Sequence, residues 1–239
     1  MQLRIWATAM QLSDSSLQRL LAWVSPSYPT GAFSYSHGLE WAVEARSVLC
    51  LQDLLDYVET ALRQAGGWVD AVLFVHIWRA ARPQGGWEGL DELVELAGAF
   101  RGSAETALES RQQGSAFLQV SRRAWPYPFL DRFAERWGSR PLSHCAAVAL
   151  TCAAHNVALE PSLQAYLHGF AANLVSAGAR LIPLGQTDAQ IAIARLAPVI
   201  ADVCGQALVT DIEDLGTAAP LLEMGSILHE TQYTRLFRS

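Results

Sequence analysis

The sequence predicts an all-α fold, one compact domain of roughly eight to ten helices with flexible termini, given typical helix lengths near a dozen residues. Three observations carry that prediction. Apolar residues recur at helical spacing along most of the 239-residue chain. Strand signals are sparse, and no Asn-Gly or Asp-Gly turn joins alternating runs. Hydrophobic residues make up 51% of the chain and charged residues only 17%, which is enough to bury a substantial core.

The elements follow in order. "SLQRLLAWV" sets Leu17, Leu20, Leu21 and Val24 on one stripe. Pro26, Pro29 and Gly31 then make a turn, which feeds a helix starting near residue 32 or 33. "LQDLLDYVETAL" repeats the stripe with Leu51, Leu54, Leu55, Val58 and Leu62. "DELVELAGAF" and "SAETALESRQQGSAFLQV" continue it, with acidic residues in the opening turns where the helix dipole favours them. "QVSRRAWPYPFL" reads as a proline-broken connector. "SHCAAVALTCAAHNVAL" is apolar nearly all round and predicts a central buried helix. In "EPSLQAYLHGFAANLVSAG", Pro161 suits a first helical turn and Gly178 an exit. In "TDAQIAIARLAPVIADVCGQAL", Asp188 suits an N-cap and Pro198 a kink. No linker divides the chain, so residues 15–224 are expected to form the domain. Residues 1–14 are expected to be loosely held, and residues 225–239 form a tail with Tyr233, Arg235, Leu236, Phe237 and Arg238, residue types common at interface hot spots. Such a tail either packs on its own domain or waits for a partner.

Composition excludes several function classes. The net charge of −6 provides no electrostatic footprint for nucleic acid and argues against docking on anionic membranes. All 17 basic side chains are Arg. Without a lysine there is no Schiff-base chemistry and no P-loop, so the chain by itself is no Walker-type nucleotide hydrolase. Exclusive use of Arg suits bidentate contacts at interfaces, although coding bias is the simpler account. Cys50, Cys145, Cys152 and Cys204 are widely spaced and read as reduced thiols. No signal peptide or spanning segment is evident, and a cytoplasmic protein is expected.

Three clusters invite a chemical reading. In "PTGAFSYSHGLEWAVE", Ser34, His37 and Glu40 fall at three-residue steps, roughly one helical face, as nucleophile, base and orienter would in a small helical hydrolase. Against that, no GxSxG elbow and no oxyanion loop accompany them. The plainer reading has Ser34 or Ser36 bonding backbone in the first turn, with Gly38 leaving room for a close neighbour. "HETQY" misses the zincin motif, because Tyr233 stands where the second histidine belongs. Cys145, Cys152 and His155 share one broad helical face and suit a soft or borderline metal such as nickel, although small thiols among alanines are ordinary in a buried helix. Arg180 and Gln186 are the polar groups of "AGARLIPLGQ" that could meet a partner, while Arg180 could equally answer its own helix end.

Three stretches also resemble the UreF family of urease accessory proteins. "SPSYPTGAFSYSHGLEWAVE" is similar to that family's first signature, "SAGARLIPLGQ" to its second, and "HETQYTRLFRS" to its C-terminal tail, in the same order and spacing. The resemblance covers residue 17 to the end. It implies an all-α homodimer without enzymatic activity or a stably bound cofactor. It also implies an adaptor that bridges UreD, seated on apo-urease, to the GTPase UreG, in a complex that handles nickel and inserts it with GTP. The interaction segments it implies are Phe33, Ser34, Tyr35, Gly38, Glu40 and Trp41; Arg180, Pro183, Gly185 and Gln186; and His229, Glu230, Thr231, Gln232, Tyr233, Arg235, Leu236, Phe237 and Arg238. It further implies a tail that becomes ordered on meeting UreD. Leu228 departs from the Arg that the family commonly has there, and Arg180 from the Lys of some members.

Overall fold

The computed structural model describes residues 13–82 and 87–239. Among these residues it contains eleven α-helices and no strand: α1 (Asp14–Trp23), α2 (Leu39–Glu44), α3 (Leu51–Gln64), α4 (Gly66–Ala80), α5 (Trp87–Ala99), α6 (Ala104–Ala124), α7 (Pro128–Trp137), α8 (His144–Ala154), α9 (Leu159–Leu181), α10 (Gln186–Ala207) and α11 (Pro220–His229). Every helix but the six-residue α2 has ten residues or more. None is long and apolar enough to cross a membrane.

Two helices form the centre. In α8 every residue from Cys145 to Ala154 is buried, as its all-round apolar composition requires. α4 packs directly against it, and burial of Val69, Val72, Leu73, Phe74, Val75 and Ile77 leaves almost no solvent face. α3, α5, α6 and α9 surround this pair, and α10 closes the far side against α3 and α9. α3 buries Leu54, Leu55, Val58 and Leu62 as its stripe predicts. α1 lies at the edge, where Leu20 is buried while Leu17 and Leu21 of the same stripe face outward. Side chains of Ser13, Ser103 and Ser143 accept backbone N–H groups at the starts of α1, α6 and α8. The expectation for residues 1–14 falls outside the described residues, apart from Ser13 and Asp14, which open α1.

Several local expectations are revised. The proline-broken connector shrinks to Trp125–Tyr127, because Pro128 sits at the first position of α7, where its missing N–H costs nothing. Asp188 is not the N-cap of α10. Gly185 is the N-cap, and the Asp188 carboxylate reaches back to accept the Gly185 N–H at 3.0 Å. Gly178 is not an exit either. It lies within α9, where a Cβ would stand 2.6 Å from the Leu54 methyl carbons of α3. The helix expected to begin near residue 32 starts at Leu39, and Ala32–Ser34 forms a separate 3₁₀ turn. His37 and Gly38 break the run with φ of 55° and 79°. The left-handed region costs an ordinary side chain energy, and Gly adopts it freely.

Between the edge helix α1 and the centre lies a cavity of about 840 Å³, with His37, Asp70, Arg101, Glu109, His144 and Tyr166 among its lining. Asp70 accepts from Arg101 at 2.7 Å and from the Tyr166 hydroxyl at 2.6 Å. Burial alone would raise its pKa, but the guanidinium and the hydroxyl hold the carboxyl below the usual range. His144 packs its ring against Phe117 and Tyr166, and burial pushes its pKa down to about 4.

Two predictions follow from this packing. Gly114 of α6 has the Leu142 carbonyl oxygen where a Cβ would stand, at 2.2 Å, and that obstacle is backbone. Gly114→Ala is therefore expected to destabilise the domain by about 1–3 kcal/mol or more, read by urea unfolding, despite the helix propensity gained. The unfolded state protonates His144 near pH 6.5, whereas the folded state protonates it only near 4. Its contribution to stability is therefore lost as pH falls through that window, by on the order of 3 kcal/mol. Unfolding curves at the two ends should show this loss, and His144→Gln should remove most of it.

Candidate partner-binding site

The site starts from one buried carboxylate. Glu40 lies in the first turn of α2 with its side chain almost wholly buried, so its charge must be answered nearby. The positive φ of His37 and Gly38 turns the chain immediately before it. Glycine at 38 is also demanded by space, because a Cβ would meet the Ser226 nitrogen of α11 at 2.7 Å. That close neighbour was expected, although it faces a cap and not a helix interior. α11 supplies a second small residue, Gly225, against the ring of Trp41. Small residues on both sides thus let α11 approach α2 closely enough to carry the following residues over Glu40.

Those residues answer the charge. Glu40 Oε1 accepts the Leu236 N–H at 2.6 Å, and Oε2 accepts the Phe237 N–H at 2.9 Å. Oε2 also faces His229 Nε2 at 3.0 Å, while His229 Nδ1 faces Glu105 Oε2 of α6 at 2.7 Å. His229 is fully buried. Glu105 uses its other oxygen for Arg235, also at 2.7 Å. Glu230 accepts the Ala104 N–H at 3.1 Å, close to the N-terminal end of α6, where a carboxylate is favoured.

The end of the tail is held by the opening stretch. The Arg238 N–H donates to the Ser34 carbonyl at 2.8 Å, and the Ser36 N–H donates to the Ser239 main-chain oxygen at 2.7 Å. The Ser36 hydroxyl bonds the same oxygen. Ser239 Oγ donates to Glu109 Oε2 at 2.8 Å, and Glu109 Oε1 pairs with His37 Nε2 at 3.0 Å. The Tyr35 hydroxyl donates to Gln112. From α9, Arg180 donates to the Phe33 carbonyl at 2.9 Å and places its guanidinium 4.3 Å from the centre of the Phe237 ring. Phe237 is buried beneath it.

The three stretches singled out in the sequence therefore converge, with exceptions. Pro183, Gly185 and Gln186 lie exposed on the α9–α10 turn, and no hydrogen bond links them to the tail. The expected division between domain and tail at residue 225 falls inside α11. Of the two alternatives for the tail, packing on its own domain accounts for His229, Phe237 and Ser239, which are buried. The outward face is different. The Tyr233 side chain is fully exposed, Leu236 is largely exposed, and Thr231 has only a bond to the Leu228 carbonyl, while Gln232 bonds the Thr234 carbonyl. Leu221, Met224, Ile227 and Leu228 add an exposed apolar strip along α11. Sequence reading did not identify Glu105 and Glu109. Their four-residue spacing on α6 was visible, but only the tail docking against that face makes partners of them.

The hydrolase arrangement does not form. Ser34 and His37 lie on different local structures, and His37 spends its ring nitrogen on Glu109 and its carbonyl on the Tyr57 hydroxyl. The thiol cluster does not form either. His155 is the C-cap residue of α8 through its backbone N–H, its Nε2 lies 3.0 Å from the Trp125 carbonyl oxygen at the end of α6, and burial pushes the Cys152 thiol up to about 12 and the Cys145 thiol further. Among the described residues no group of three or more His, Cys, Asp or Glu side chains is arranged to hold a metal ion.

Known proteins match this chain over most of its length. The family model UreF matches residues 50–197, the body between the opening stretch and the tail. The urease accessory protein UreF of Granulibacter bethesdensis is 47% identical over 234 residues, spanning 98% of this chain and 98% of that protein. Its counterpart from Rhodopseudomonas palustris strain TIE-1 is 44% identical over 226 residues, 95% of this chain and 93% of that protein. The protein of the same name from Bradyrhizobium diazoefficiens is 43% identical over 225 residues, 94% and 92% respectively. These alignments reach beyond the body, and together with the family match they place the chain: it belongs to the UreF family.

Proposed function

We propose that this chain acts in urease maturation as a non-enzymatic adaptor. In this reading it bridges UreD on apo-urease to the GTPase UreG and supports GTP-dependent insertion of nickel, which is the cargo of the complex and not a resident cofactor. It works in the cytoplasm as a homodimer. The observation that carries the reading is the outward face of the docked tail, where Tyr233 and Leu236 stand exposed next to the apolar strip of α11. Exposed aromatic and aliphatic groups grouped beside arginines are what a protein partner buries. Family membership supports the choice of urease as the system, and the absence of a lysine leaves the nucleotide chemistry to a partner.

Two measurements test this. Co-expression with UreD, UreG and the urease subunits should show the full chain capturing UreD and UreG, and a 1–228 truncation losing them. Tyr233→Ala combined with Leu236→Ala removes only exposed side chains, so folding is expected to be unaffected. Each anchor is expected to contribute about 2 kcal/mol, roughly thirtyfold in affinity. Capture undiminished in the double variant would overturn the assignment of this face. Arg180 is exposed, and it is partly committed to the Phe33 carbonyl and the Phe237 ring. If it acts as a regulatory arginine, Arg180→Ala should slow GTP hydrolysis by UreG in the complex, and unchanged kinetics would exclude that role.

A further inference from the structure

The cavity between α1 and the centre keeps hydrogen-bonding capacity that the protein itself does not use. Its volume of about 840 Å³ suits a small molecule, and apolar groups such as Val69, Phe100, Val148 and Phe170 form much of its wall. Both oxygens of Asp70 are occupied, one by Arg101 and the other by the Tyr166 hydroxyl. Glu109 is occupied likewise, by His37, Gln113 and Ser239. Two side chains of the same wall are not. Arg101 spends one terminal nitrogen on Asp70 and the Ala97 carbonyl, while its Nε is buried without a partner in a side chain only 8% exposed. The His144 backbone N–H meets Ser110 and its ring lies against Phe117 and Tyr166, but among the described residues neither ring nitrogen has a hydrogen-bond partner.

These unused groups define a ligand. Arg101 Nε only donates, so it calls for an acceptor oxygen. Burial pushes the His144 pKa down to about 4, so near neutral pH its ring offers a lone pair to an N–H donor. The two groups flank the Asp70–Tyr166 pair. Arg101 stands 2.7 Å from one Asp70 oxygen, Tyr166 holds the other, and the His144 and Tyr166 ring centres are 5.5 Å apart. The Arg101 charge is also among those that act on His144. An anion entering here would be opposed by the two carboxylates of the wall, and a cation would find both already answered. A neutral group that carries an acceptor oxygen and an N–H donor side by side is a carboxamide. We propose that this cavity binds a small neutral amide, its carbonyl oxygen accepting from Arg101 and its N–H donating to His144. Binding gives the Arg101 Nε the partner it lacks, and the apolar wall takes up the substituent. The site lies within a single chain, so it needs no partner and does not rest on the adaptor reading.

The test uses the full chain alone with benzamide as the probe, titrated near neutral pH and followed by saturation-transfer NMR. Acetophenone keeps the ring and the carbonyl but has no N–H, and benzoate keeps the ring but carries a charge. The expected result is saturable binding of benzamide, with each comparator weaker by about tenfold or more, because a site built around hydrogen bonds rejects an analogue that leaves its groups unpaired. His144→Phe keeps an aromatic ring between Phe117 and Tyr166 but removes its nitrogens, so the preference for benzamide over acetophenone should vanish. Far-UV circular dichroism records whether that variant folds. Absence of saturable benzamide binding overturns the site, and so does a preference below about tenfold in the parent, or one that persists in His144→Phe. If the variant does not fold, the parent's preference over both comparators decides.

Discussion

The buried carboxylate of Glu40 sets the terms for one whole side of this protein. A charge removed from water has to be answered by donors at hydrogen-bond distance, and α2 is too short to supply them. They come instead from the Leu236 and Phe237 backbone and from His229, nearly two hundred residues away in sequence. Much else follows from bringing that distant segment into place. The left-handed turn at His37 and Gly38 directs α2, and the paired glycines at 38 and 225 let α11 come close. Ser103 and Ser226 hydroxyls meet at 2.7 Å and tie α11 to the start of α6.

A second buried carboxylate shows how the interior handles charge differently. Asp70 faces the cavity and is answered within the helical body, by Arg101 and Tyr166. Breaking that pair would leave an uncompensated charge in the centre, so it belongs to the permanent structure. Glu40, Glu105 and Glu109 are answered by a segment that forms no core helix and contributes one buried aromatic, Phe237. Few buried apolar contacts and several polar ones are the marks of a low-stability unit within a stable body. Charge-assisted hydrogen bonds thus hold this segment where apolar burial is small.

Legibility in the sequence tracked solvent exposure. Helices with one wet face, such as α3 and α6, announce themselves by period, because the water side must be polar and the core side apolar. α8 was readable for the opposite reason, its alanine-rich composition. α4 has the same environment but is written in Val, Phe, Ile and Trp, and such a run has no period to separate helix from strand. α7 was hidden by prolines, which punctuate a loop and open a helix equally well. The glycine at 178 and the aspartate at 188 have tertiary and capping roles that local spacing does not separate from a helix exit and an N-cap. One marks a close approach by Leu54, and the other caps from inside the helix.

The sequence by itself determined the all-α class, the principal helical stripes, the lack of a nucleotide motif and the three stretches that carry the resemblance to the family. Each of these is local, a matter of period, composition or residue order within a short window. Only the tertiary structure decided what those stretches do to one another. It separated Ser34 from His37, set His229 between two carboxylates, and turned Glu105 and Glu109 from acids at a helix start into the seat of the tail. The physical reason is that a buried charge is defined by its partners, and here those partners lie more than a hundred residues apart along the chain.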